Sequence, residues 1–330
     1  MKAELEKIRA MRMKDVEALV YAPVNDELPP ERRLESCIGM SDLVAKMVTF
    51  VICHLIVDYA EQLKDERLSV ANAFLQRVTS THLCNLKLTQ EGIVYRFRGQ
   101  AFDLHEEFKT MTLTRSVYEH LVMFYFLYVH PKSQEERSVT WNYWKINSKK
   151  NLLDYSPEGS NLMKEEQEEA QREIEVLRRE IFSTQLGMLC RKKLDEWTAI
   201  GKPTQNGCIE FFRNQERMDV RRVSYSQAWK YLFDKEEMTL LYRHLSIHCH
   251  PVYNGLLQYQ SQGQDDEGYD GLPLYLSSCF LSCLCRLFLR LIPNGNKLLR
   301  KEFSKQELYV FNALSQLPVG EEESESHGKE

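Results

Sequence analysis

Between Leu241 and Tyr253 the chain reads LYRHLSIHCHPVY, which sets Arg243 ahead of His244, His248 and His250 and stops at Pro251. A guanidinium is a permanent fork for phosphate oxygens, and an imidazole exchanges protons near neutral pH, so the two together suit phosphodiester chemistry. Seven residues of helix turn through about 700°, which returns His250 to within about 20° of Arg243, two turns further on. His248 lies about 140° from Arg243 and stacks over His244 instead. Pro251 pushes residue 250 toward extended backbone and leaves His250 on a frayed last turn, able to reach solvent or a neighbour. The competing reading is a packed helix end, because a histidine at a helix C-terminus gains from the dipole alone and Tyr242, Leu245 and Ile247 look like core contacts. Similar spacings occur at Arg77 and His82, Arg98 and His105, and Arg115 and His120, so spacing by itself marks no site.

Three other groups carry chemistry. Arg115 and Glu119 open the most aromatic run, RSVYEHLVMFYFLYVHP, where Glu119 either orients Arg243 or His250 or makes a plain i, i+4 ion pair with Arg115. Arg213, Arg217, Arg221 and Arg222 form a basic stretch that either guides a polyanion or, with Glu216 and Asp219 among them, is a solvated helix face. Cys279, Cys283 and Cys285 suggest a metal, but on a helix Cys285 lies roughly 200° from Cys283, so the three do not converge on one ion. No metal and no cofactor is expected. Aromatic residues over 117–128 would form the wall of a small-molecule pocket, although at helical spacing they read first as core.

The elements that must hold these residues are helical. Only 14 glycines and 10 prolines interrupt the chain, and the text between them carries apolar residues at three- and four-residue spacing. One helix is expected over 3–20. A second follows Ser41 as N-cap, then 69–86, 101–130 and 134–150, with further helices over 225–250, 272–292 and 297–316. The stretch LTQEGIVYRFRG is the one place where a short strand pair is expected. Residues 161–197 are highly charged, with a narrow apolar stripe at Ile174, Leu177 and Ile181, which predicts a protruding arm that meets one partner along one seam. The reading is an all-α multi-helix bundle with three parts: 1–100 packing on a core over 101–320, a charged insertion at about 155–200, and an acidic tail over 321–330.

The 43 basic and 48 acidic residues leave a net charge of −5, so the chain as a whole has no field that draws in a polyanion. Nine cysteines, an odd number, with Cys53, Cys190, Cys279 and Cys283 inside apolar helical text, point to buried thiols rather than a disulfide framework. The charged N-terminal sequence lacks a secretion signal, and Leu272–Cys285 is too short to span a bilayer, so a soluble cytoplasmic protein without membrane contact is expected.

The motif YRHLSIHCHP, with RSVYEHLVMFYFLYVHP before it, resembles a helical family related to the HEPN superfamily. In that family an arginine and a glutamate open one core helix, and a later helix carries tyrosine, arginine, leucine, serine, histidine and proline. Here those are Arg115 and Glu119, then Tyr242, Arg243, Leu245, Ser246, His250 and Pro251, over about residues 100–260. The superfamily's shorter arginine-to-histidine form fits Arg243, His244 and His248 equally well. The resemblance implies a bundle that dimerises with the arginine and histidine of two protomers facing each other. It also implies a metal-independent ribonuclease of antiviral defence or toxin systems, or an inactive binding module. The corresponding expectations are an RNA substrate, a homodimer, and Arg243 with His250 as catalytic residues, His248 in reserve. Glu119, Arg115 and His244 would support them, and Arg213, Arg217, Arg221 and Arg222 would contact RNA. The alternative is a non-catalytic helical scaffold that recruits a protein partner through 161–197.

Overall fold

Helix-forming text bounded by capping residues gives a mostly helical chain. The computed structural model describes residues 2–25, 27–92, 94–97, 99–103, 107–154, 161–202, 208–215, 217–232, 242–243, 245–246 and 271–316. The helices are α1 (Lys2–Ala10), α2 (Met13–Tyr21), α3 (Pro30–Asp58), α4 (Glu66–Glu91), α5 (Glu107–Tyr128), α6 (Gln134–Asp154), α7 (Asn161–Ser183), α8 (Gln185–Leu189), α9 (Arg191–Thr198), α10 (Tyr225–Ala228), α11 (Leu272–Leu289), α12 (Gly295–Glu302) and α13 (Lys305–Ser315). Two antiparallel hairpins join them, β1 (Val94–Phe97) with β2 (Gln100–Asp103), and β3 (Ile209–Asn214) with β4 (Arg217–Arg222). The first hairpin falls where the sequence predicts a strand pair. The second replaces the helix face expected for the arginine stretch.

The chain forms two units, one of residues 1–121 with 230–330 and one of residues 122–229. The division falls inside α5 and makes the first unit discontinuous, whereas the sequence suggested a boundary at 100. In the first unit α3, α4 and α11 pack on one another, and α13 lies against α11 and α2. The first half of α5 joins them: Thr114 takes a hydrogen bond from Asn85 Nδ2 of α4 (3.0 Å) and donates to the Pro273 carbonyl of α11 (2.7 Å).

Where the three long helices meet, the core is polar. Ser278 Oγ donates to the Leu274 carbonyl, so Ser41 Oγ donates to Ser278 Oγ at 2.6 Å. His82, fully buried, has Nε2 at 3.3 Å from the Ser41 carbonyl and Nδ1 at 2.8 Å from Ser277 Oγ. A carbonyl only accepts, so Nε2 carries the proton and Nδ1 accepts from the Ser277 hydroxyl. Ser41 is therefore no N-cap. It lies mid-helix, because Pro30 starts α3 eleven residues earlier, at a first-turn position where its missing N–H costs nothing.

Both α3 and α11 are long and apolar enough to cross a membrane by length and composition, but 83% of the α11 window is buried inside the protein. Its neighbours α3, α4 and α13 cover it. Gly271 starts α11 at φ +78°, and a Cβ there would lie 3.0 Å from the Cys37 Cβ, so both the backbone and the close approach require glycine. The helix predicted over 3–20 breaks at Met11 and Arg12, and the last one divides at Phe303 and Ser304. Cys53 is exposed, whereas Cys190, Cys279 and Cys283 are buried as expected.

The break at Ser304 starts a capping box that also fastens the N-terminus. Ser304 Oγ accepts from the Glu307 N–H, and the Glu307 carboxylate accepts from the Ser304 N–H (2.7 Å) and from Arg9 Nε of α1 (2.9 Å). Glu307 is fully buried. Glu307→Ala should cost about 2 kcal/mol, since it removes a cap and leaves a buried N–H unpaired. Arg9→Ala should cost less than 1 kcal/mol because that partner is half exposed. Paired urea titrations of the two variants check this ranking.

The second unit corrects the expectation of a protruding arm. Ile174, Leu177 and Ile181 of α7 are buried against Val139, Tyr143 and Ile146 of α6, and Leu186, Cys190, Leu194, Ile209 and Val220 close the same core. Asn142 donates to Glu180 (2.9 Å) beside that seam, and Lys149 pairs with Glu173. The narrow stripe does meet a single long partner, but the partner is α6 of the same chain.

Candidate functional site

Helix α5 presents Arg115, Glu119 and His120 on consecutive sides of one turn. Arg115 Nε donates to Glu119 Oε1 at 2.8 Å, so of the two readings of Glu119 the helix-internal ion pair is the one formed. Glu119 does not hold Arg243. The Arg115 guanidinium also lies over the Tyr242 ring, 5.5 Å from its centre, with Nη2 3.5 Å from the phenolic oxygen. Both members of the ion pair are largely shielded, with side chains 17% and 28% exposed, which makes this contact firmer than a surface pair.

Tyr242 is the anchor of its segment. Its ring packs 5.3 Å from Tyr118, which in turn meets Phe280 of α11 at 5.4 Å. Burial pushes the Tyr242 phenol up, against the lowering influence of Arg115. Ser246 Oγ donates to the Tyr242 carbonyl at 2.7 Å, and Leu245 is buried. Tyr242, Leu245 and Ser246 thus fix one side of this helical segment, and Arg243 is exposed on the other. His244, His248 and His250 lie outside the described residues, as does Pro251.

The similar spacings resolve differently. His82 faces the serine cluster inside the bundle and Arg77 is exposed, so that pair does not form. His120, half buried, has Nδ1 2.7 Å from the Ser116 carbonyl and its ring 6.1 Å from Phe74 of α4. Burial is the main cause that lowers its pKa, and nearby Arg77 adds to it. Arg98 and His105 lie outside the described residues.

Of the four arginines, Arg222 Nε donates to the Tyr143 hydroxyl (3.1 Å) and its guanidinium covers Trp197 at 4.6 Å. Arg221 pairs with Glu210 (2.5 Å) and covers Phe212 at 5.3 Å. Arg213 and Arg217 flank the turn of the β3–β4 hairpin and are exposed. The stretch therefore divides into two arginines that hold the second unit together and two at a hairpin tip. The alternation of Ile209 with Phe211 and Met218 with Val220 is the signal that could have shown this, but four interspersed arginines obscured it.

Cys279, Cys283 and Cys285 are buried within α11, and burial keeps all three thiols protonated, Cys283 pushed up to about 12. Among the described residues no three histidine, cysteine or carboxylate side chains are grouped as metal ligands.

These features define a mostly helical protein of two units, with a shielded Arg–Glu–Tyr cluster behind an exposed arginine. Residues 103–269 match the model of a family of unknown function, DUF5677, and the chain belongs to that family. The matched segment includes Arg115, Glu119, Tyr242 and Arg243 and leaves out α3, α4 and α11, which surround the polar core. No curated protein and no solved structure matches the chain.

Proposed function

We propose that the protein is a metal-independent endoribonuclease of the HEPN type, an effector of a defence or toxin system that works in the cytoplasm as a homodimer. The observation that carries this reading is the anchoring of Tyr242 by Arg115 and Tyr118, which holds the neighbouring Arg243 outward on a fixed segment. An exposed guanidinium on a fixed backbone can take the charge that builds on a phosphoryl oxygen without reorganising. His250, with His248 in reserve, supplies the proton transfers. The RNA 2′-hydroxyl attacks its adjacent phosphate, the O2′–P bond forms as the P–O5′ bond breaks, and the products are a 2′,3′-cyclic phosphate and a 5′-hydroxyl. Arg213 and Arg217 at the hairpin tip add phosphate contacts.

Purified protein incubated with single-stranded RNA should yield cyclic-phosphate ends. Arg243→Ala and His250→Ala should each reduce that rate by about 10²–10⁴-fold while the helical circular dichroism stays unchanged. Arg32→Ala, remote in sequence and paired with Glu35, should cleave at the full rate. A folded wild type that leaves no cyclic phosphate on RNA rejects the ribonuclease. The second reading, a non-catalytic scaffold, is favoured by the same shielded Arg115–Glu119–Tyr242 cluster. It gains if Arg243→Ala disturbs folding or self-association instead of cleavage.

A further inference from the structure

The transesterification above needs two proton transfers, one from O2′ and one to O5′. A pair of imidazoles in opposite protonation states performs both without waiting for one ring to turn over. From the geometry of α5 and α4 we infer that His120 is the general base of this site, presenting Nε2 to the attacking hydroxyl with Arg77 and Arg115 beside it. The inference rests on the ribonuclease reading and adds a residue that the arginine-to-histidine spacing did not assign.

The argument starts from the tautomer. The Ser116 carbonyl can only accept, so at 2.7 Å it fixes the proton of neutral His120 on Nδ1 and leaves the lone pair on Nε2. Among the described residues no hydrogen bond uses that Nε2. Phe74 meets the ring edge-on at 6.1 Å and gives it an apolar wall on the α4 side. Arg77, one turn further along α4, is the cation facing it from that helix, and Glu119 is the neighbouring carboxylate on α5 itself. Burial and Arg77 both disfavour the imidazolium, so His120 is neutral at pH 7 and ready to take a proton. Arg115, held by Glu119 and Tyr242 one turn earlier on α5, is fixed in orientation.

The step balances as follows. His120 Nε2 takes the 2′-hydroxyl proton as O2′ bonds to phosphorus. The P–O5′ bond breaks, and O5′ takes its proton from the imidazolium of His250. A plain helix-capping histidine would share the Ser116 contact but would have no part in these transfers.

The test combines kinetics with a binding measurement that needs no cleavage. His120→Gln, which keeps an amide donor in place of the ring, should lose at least about 100-fold in rate. It should also lose the acid limb of the pH–rate profile, which lies below pH 6.5 in wild type. Added imidazole should restore part of the rate to His120→Ala and none to Arg243→Ala. In parallel, the nitrogen-15 resonances of the His120 ring should show the Nδ1–H form and shift at Nε2 when an uncleavable 2′-fluoro oligouridylate is added. A wild type that cleaves while His120→Gln retains its rate and acid limb overturns the inference and spares the ribonuclease. A wild type that never cleaves, with the Nε2 shift still present, overturns the ribonuclease and leaves His120 as a ligand contact. Absence of that shift overturns the inference in either case.

Discussion

Replacing Ile174 and Ile181 together by alanine is expected to destabilise the second unit by about 4–8 kcal/mol, the largest effect of any substitution considered. Both side chains are fully buried between α6 and α7. Each truncation to alanine removes apolar area and leaves a cavity, at about 2–5 kcal/mol per site. Seven residues of helix separate them by about 10 Å, far enough for the two costs nearly to add. All four tryptophans of the chain, Trp141, Trp144, Trp197 and Trp229, fall within residues 122–229, so tryptophan fluorescence in urea follows this unit selectively. The double variant should lose most of its folded baseline. A protruding arm would instead give a midpoint shift worth about 0.5 kcal/mol or less, as for other exposed positions, and that outcome would show the seam to be solvent-facing.

Acidification should act mainly through one buried imidazole. In the unfolded chain His82 takes its proton near pH 6.5, whereas burial in the fold lowers its pKa to about 4. Between those values the unfolded state holds the extra proton and is favoured by it. The stability of the fold is therefore full above pH 6.5 and falls as the pH drops toward 4, by roughly 3 kcal/mol for this group. Carboxylates titrate over part of the same range, so the informative quantity is the difference between wild type and His82→Leu. The variant should be less stable at pH 7, because the Ser277 hydroxyl and the Ser41 carbonyl lose their partner. Its stability should also decline less on acidification, so the two denaturation curves converge near pH 4. Parallel curves from pH 7 to 4 would mean that His82 is not held neutral.

The helices were legible because their apolar residues recur at three- and four-residue spacing, and the strand pair after α4 because LTQEGIVYRFRG breaks that rhythm. The partners of the α7 stripe were not. Val139, Tyr143 and Ile146 carry the matching i, i+4, i+7 pattern on α6, but a loop and a dozen charged residues separate the two stripes in the text. A narrow stripe in charged surroundings reads as an arm until its other half is found. The serine cluster was hidden for a related reason. Nothing local distinguishes Ser41, in an apolar run, from an N-cap, and the groups that satisfy it and His82 lie on α11, more than 190 residues beyond His82. At the site, sequence singled out Arg115, Glu119, Tyr242 and Arg243, and the structure brings the first three into contact. It could not say that Glu119 would be taken by Arg115, because an i, i+4 pair and a longer reach are equally consistent with its position.

The discontinuity of the first unit bears on how the chain is made. Helices α3 and α4 leave the ribosome early, yet the α11 surface that covers them is synthesised only after residues 122–229. The intervening unit draws its core from a continuous stretch and can condense first, while the N-terminal half waits with its apolar faces uncovered. Nascent chains of this protein thus carry a long exposure interval that falls on α3, the helix that most needs a chaperone's cover during synthesis.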